Sequence, residues 1–110
     1  MSAIHKDLAG GRFSQMSLCE QMANIGSEVE RALNWKEKNN VEYSQKAFER
    51  TLDLIGITMA GITDFNRLKE LSRTREALND YFIGENQFSS TNTSWRKYFL
   101  HFAYAARKSY

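Results

Sequence analysis

The sequence predicts an all-α protein, an antiparallel four-helix bundle with a loose N-terminal arm. Four segments carry apolar residues at steps of three and four, which is the period of an amphipathic helix. Short polar connections rich in Gly and Asn separate them, the 110 residues include no Pro, and no stretch shows the alternation of a strand. Helices joined by short connections pack antiparallel by default. We therefore expect one bundle domain, residues 16–110, preceded by an arm, residues 1–15.

The arm lacks a strong period and contains two consecutive glycines, so we expect it to be loose, with Phe13 packed on the bundle. The first helix should begin at Ser17, because Ser17 and Glu20 have the spacing of a capping box, in which each side chain bonds the backbone amide of the other. It should end before the Asn pair at 39–40, a residue type that tolerates left-handed turns. Its apolar stripe comprises Leu18, Met22, Ile25, Val29, Ala32 and Leu33.

The second and third helices follow the same logic. The second is expected over residues 41–59, with an apolar arc that covers more than half of its circumference and predicts packing against two neighbours or a dimer partner. Gly61 ends it. The third should begin near Thr63 or Asp64, both good N-cap residues, and end at Gly84.

The fourth helix is predicted from about residue 93 to 107. Residues 95–110 contain six aromatic residues, four cations and no acid, so apolar mass and uncompensated positive charge coincide. Its core face comprises Trp95, Tyr98, Phe99, Phe102 and Ala106. A polar arc comprises Lys97, His101, Tyr104 and Lys108, and a third arc comprises Arg96, Leu100, Ala103 and Arg107. These outer arcs form either a solvated basic face or a surface that binds an anionic ligand or nucleic acid.

Arg96 and His101, with four residues between them, resemble the arginine–four-to-six–histidine signature of the HEPN superfamily of small, often dimeric four-helix bundles. Many members are encoded beside a minimal nucleotidyltransferase. The resemblance implies metal-independent RNA cleavage, with His101 as acid or base and Arg96 stabilising the phosphorane charge. The chain departs from the family pattern at Lys97, where Asn, Asp or His is usual, and at Ala103, where antitoxin-paired members have Tyr and this chain has Tyr104 one residue later. Because the two residues point about 140° apart on a helix, they would meet most easily in a cleft shared across a dimer.

Two further residues are candidate binding residues. Arg75 falls on the apolar line of the third helix, so it needs an acidic partner, for which Glu20, Glu28 and Asp53 are candidates, or it must extend to solvent. Its functional alternative is an anion site opening into the bundle groove. Trp35 lies off the first apolar stripe, where it either caps the bundle end and receives the arm or serves as an exposed anchor for a partner.

Several classes of site are excluded by residue type. The single cysteine, Cys19, cannot form an intramolecular disulfide, and no apolar run reaches the length of a signal or a membrane span, so we expect a cytoplasmic protein with no membrane partner. The two histidines, His5 and His101, form no Glu-x-x-His pair, and no glycine-rich phosphate loop is present. We therefore expect no metal site and no cofactor.

Three functions fit this sequence. The first is a helical bundle that acts through protein contacts, as a homodimer or as the partner subunit of another protein, without assured catalysis. The second is a HEPN-type ribonuclease or toxin paired with a nucleotidyltransferase, with catalytic residues Arg96 and His101. The third is binding of RNA or another anionic ligand by the basic C-terminal helix.

Overall fold

The structure, a computed structural model, describes residues 11–108. This part of the chain is all-helical and contains no β-strand, which confirms the predicted class. The first ten residues of the predicted loose arm lie outside it. The elements are a one-turn helix and four long ones: α1 (Arg12–Gln15), α2 (Leu18–Glu37), α3 (Val41–Ala60), α4 (Phe65–Phe82) and α5 (Asn92–Lys108).

Local capping sets the helix ends where the sequence predicted them. The Ser17 hydroxyl accepts a hydrogen bond from the Glu20 amide (3.2 Å), and the Glu20 carboxylate accepts one from the Ser17 amide (3.1 Å), so the capping box of α2 is confirmed. Asn39 adopts the left-handed conformation with φ of 59° after α2. Asp64 accepts a hydrogen bond from the Asn66 amide and thereby caps α4.

The central element of the fold is α2, which packs against both α3 and α5, while α3 also packs against α4. Phe13 of α1 is 1% exposed, and its carbonyl accepts a hydrogen bond from the Gln21 side chain, which confirms that it packs on the helical core. The buried apolar core comprises Phe13, Met22, Ile25, Val29, Ala32, Leu33, Ala47, Phe48, Leu54, Ile55, Leu71, Leu78, Trp95 and Phe99.

The buried face of α3 is more polar than the predicted wide apolar arc. Tyr43 is 47% exposed, whereas Ser44 and Thr51 are buried. The Ser44 hydroxyl donates to the carbonyl of Ala32 on α2, and the Thr51 hydroxyl donates to the carbonyl of Ala47 one turn earlier. Ser44 and Thr51 therefore satisfy their own hydroxyl groups inside the helix contacts, and an apolar count from the sequence overstates the width of the arc.

Candidate functional site

Arg96 is held by acidic residues of α2. Its Nε lies 3.0 Å from both carboxylate oxygens of Glu30, and its two terminal nitrogens lie 2.8 and 3.2 Å from the two carboxylate oxygens of Glu37. Asn34 accepts a further hydrogen bond from the same guanidinium at 3.1 Å. Two carboxylates thus face the Arg96 guanidinium. The prediction that the positive charges of this helix are not balanced by acids is therefore wrong for Arg96.

The ion-pair cluster of Arg96, Glu30 and Glu37 extends to α4 through the side-chain amide of Asn92 and the hydroxyl of Tyr81. The Asn92 side chain donates to Glu37 at 2.8 Å, and the Tyr81 hydroxyl donates to the Asn92 side-chain oxygen. Hydrogen bonds from Arg96 and then from Asn92 lower the pKa of the Glu37 carboxylate. The carboxylates of Glu37 and Glu30 raise the pKa of the Arg96 guanidinium, so it is a permanent cation. The cluster therefore ties the start of α5 to α2 and α4.

Beside this cluster, α2 and α5 border an open groove of about 490 Å³. Gly26 allows the two helices to approach closely, because a Cβ atom at this position would lie 2.7 Å from the Cβ of Phe99. The groove is lined on α2 by the small residues Ala23, Gly26 and Ser27 together with Val29, Glu30 and Leu33, and on α5 by residues that include Lys97, Leu100 and Ala103.

The solvent side of α5, which we call the α5 basic face, comprises Lys97, Leu100, His101, Tyr104 and Arg107. Their spacing of three and four residues places them on one stripe of the helix. Leu100 is 61% exposed and Tyr104 is 57% exposed, whereas the adjacent Phe99 is 6% exposed. Within the described chain, neither Lys97 nor Arg107 forms an ion pair with another residue. The side chain of Lys108 lies outside the described part.

The described protomer does not bring Arg96 and His101 together. Arg96 bonds to α2, while His101 is exposed, makes an edge-to-face contact with Phe102 at 5.4 Å, and does not line the groove. A cleft formed between two protomers stays a prediction. His101 instead shares the α5 basic face with Lys97 and Arg107.

Arg75 is exposed, which fits the alternative that its side chain extends to solvent, but its position is not part of the buried seam of α4. The buried residues are Leu71, Thr74 and Leu78, so the middle buried position is Thr74, one residue before Arg75. Thr74 shares a hydrogen bond of 3.0 Å with the Tyr98 hydroxyl of α5. Thr74 lies three residues after Leu71 and four before Leu78, so the helical spacing itself could have identified it as buried. Its polar side chain hid it from a search for apolar residues.

Trp35 is half-buried near the end of α2. Its ring packs edge-on against Tyr43 with centroids 4.9 Å apart, and the Lys38 ammonium lies 5.1 Å from its centroid. Its carbonyl accepts a hydrogen bond from the Asn40 amide in the α2–α3 turn. Trp35 therefore packs within the turn region that joins α2 and α3.

A second open cleft, of about 640 Å³, lies between α4 and α5. Burial raises the pKa of the Tyr98 hydroxyl on its wall; the hydrogen bond with Thr74 acts in the opposite direction, and the Glu70 carboxylate raises the pKa further. Within the described residues, the buried indole nitrogen of Trp95 makes no hydrogen bond. The Tyr98 hydroxyl already has protein partners, so it serves helix packing.

Residues 11–108 contain no group of three or more His, Cys, Asp or Glu residues placed to hold a metal ion. Cys19 is a half-buried free thiol. None of the helices described is long and apolar enough to cross a membrane. No protein-family model matches the chain, and neither a curated protein nor a solved structure matches it.

Proposed function

We propose that this domain acts by binding another protein, with the α5 basic face and the adjoining groove as its contact surface. In this proposal the four long helices form the antiparallel bundle predicted from the sequence, and the domain works in the cytoplasm as a partner subunit without catalysis of its own. The observation that carries the proposal is the exposure of Leu100 and Tyr104, one turn apart, beside the open groove between α2 and α5. Exposed apolar side chains next to a concave surface are typical of protein contacts.

The charges on this face favour a different protein over a second copy of the chain. In a twofold interface each residue opposes a residue of the same surface. Lys97 and Arg107 lie near opposite ends of the stripe, so an antiparallel pairing of two α5 helices would bring Lys97 of one protomer towards Arg107 of the other. Like charges opposed at an interface are unfavourable. A partner with a different surface avoids this repulsion.

The test compares two exposed apolar residues. Proteins that the wild-type chain captures from cells are identified and purified. Each is then titrated by calorimetry against the wild type, Leu100→Asp and Phe65→Asp. Phe65, at the start of α4, is 73% exposed and is the matched control. We expect Leu100→Asp to weaken binding at least about tenfold and Phe65→Asp to leave it unchanged.

Equal binding by Leu100→Asp and the wild type would contradict the proposal. So would a dimer, measured by sedimentation, that dissociates in Leu100→Asp, because the surface would then join two copies. Failure of every purified candidate to bind would also contradict it.

The ribonuclease alternative stays a prediction of the HEPN resemblance. Its Arg96 would have to exchange the carboxylates of Glu30 and Glu37 for an RNA phosphate. These two acids add negative charge where the substrate would need to bind. For this reason we favour protein binding.

A further inference from the structure

The pattern of charge along the α5 basic face has two cations with apolar residues between them. Lys97 and Arg107 are ten residues apart, or about 15 Å along the helix. Leu100 and Tyr104 lie between them, one turn apart and mostly exposed. The face is therefore an apolar centre with a positive group at each end, and His101 lies beside that centre.

We propose that the partner of this face is an acidic amphipathic helix that lies along α5, over the groove between α5 and α2. Its acids would lie against Lys97 and Arg107, and its apolar residues would cover Leu100 and Tyr104. An α-helix matches this length when its two acids are ten or eleven residues apart and its apolar residues fall between them at steps of three and four. This inference rests on the proposed function and adds the chemistry of the partner.

The surroundings of the face favour such a helix over a nucleic acid. A polyanion needs a continuous row of cations, because each phosphate carries a charge. Here the next cation along, Arg96, is outnumbered by Glu30 and Glu37, whose carboxylates lie within 3.2 Å of it. An RNA strand carries a phosphate at every step and would set several of them against these carboxylates, whereas a helix with two acids can place neutral residues there. An RNA strand would also leave Leu100 uncovered. A short acidic helix meets the cations and buries the apolar centre.

The groove supports the same geometry. On part of the α2 wall the groove is lined by Ala23, Gly26 and Ser27, whose small side chains let a neighbouring helix approach, and Val29, Glu30 and Leu33 line the rest of that wall. A third helix placed over the groove could therefore contact α2 and α5 together. Side chains extending from such a helix would have about 490 Å³ of open space available.

The test uses a displayed library of 18-residue helices, randomised on one face and selected on the full-length chain. We expect the enriched sequences to carry Glu or Asp ten or eleven residues apart with large apolar residues between them. Synthetic peptides of those sequences should bind Lys97→Glu/Arg107→Glu at least about tenfold more weakly than the wild type. The matched control, Lys69→Glu/Arg73→Glu, reverses two exposed cations of α4 and should bind like the wild type.

Each contrary outcome identifies what has failed. Enriched helices that bind through Leu100 but are neutral or basic, with affinity unchanged in the charge-reversed variant, would overturn the acidic partner and leave protein binding intact. Absence of any enriched helix, together with no effect of Leu100→Asp on a captured protein, would overturn both. Tighter binding of polyuridylate RNA than of any selected peptide, lost in the charge-reversed variant, would assign the face to nucleic acid instead.

Discussion

Arg96 and Lys97 are adjacent cations in α5, yet they belong to two different sides of the helix. The inner side, with Trp95, Arg96 and Phe99, is fixed to α2 by close packing and by carboxylates from two helical turns. The outer side, the α5 basic face, combines two exposed apolar residues with two cations that form no ion pair among residues 11–108. The comparison teaches that cations close together in a sequence can have different roles. Arg96 stabilises a contact between helices, whereas Lys97 and Arg107 are exposed to solvent.

The comparison is tested most strongly at the closest approach of α2 and α5. Ala in place of Gly26 would put a Cβ 2.7 Å from the Cβ of Phe99, so α5 would have to move away from α2. Overpacking of this kind costs about 1–3 kcal/mol, and better helix propensity returns about 1 kcal/mol. We expect Gly26→Ala to lower the free energy of unfolding by about 1 kcal/mol, measured by chemical denaturation.

Gly56, in the middle of α3, is the matched control because a Cβ there meets no atom within 4 Å. Gly56→Ala should raise the free energy of unfolding by about 0.5–1 kcal/mol. The same gain at both glycines would show that the two helices are not in close contact at Gly26.

Substitutions at the two adjacent cations should differ in stability by less than substitutions at the two glycines do. Arg96→Ala removes a guanidinium that bonds two carboxylates, but its side chain is 33% exposed, which weakens the contribution of the ion pairs. We expect a loss of about 1 kcal/mol of stability by chemical denaturation, and a change within about 0.5 kcal/mol for Lys97→Ala. Equal effects of the two substitutions would contradict the distinction between the inner and outer sides.

The smallest effect is the acid sensitivity of the Arg96 cluster. The pKa of Glu37 is lowered in the folded protein, so its ionised form stabilises the fold. This contribution is complete above the unfolded-state pKa of about 4.3 and is lost as the pH falls from there through the lower pKa of the folded state. Glu37→Gln should therefore flatten the decline in thermal stability below that pH, whereas Glu49→Gln, on the exposed face of α3, should leave its slope unchanged. If the thermal stability of Glu37→Gln declined with falling pH as steeply as that of the wild type, Glu37 would not be a source of the acid sensitivity.

Features that depend on neighbouring residues in the sequence were predicted correctly. The Ser17–Glu20 capping box, the Asp64 cap and the turn at Asn39 each involve groups within a few residues of one another, so their chemistry is visible in a short window. Some features that depend on contacts between helices, such as the buried position in the middle of α4, were not. Arg75 lies outside the apolar seam because the contact with Tyr98 selects Thr74 as the buried neighbour.

The sequence by itself determined the helical class, the ends of the long helices and the concentration of cations and rings in the last one, because hydrophobic period and capping act over a few residues. Only the tertiary structure decided which cations are paired and which apolar residues remain uncovered. Glu30 and Glu37 precede Arg96 by about 60 residues, and packing of α2 against α5 brings them together. A charge acquires its role from the groups that the fold places beside it, and sequence spacing alone does not specify those groups.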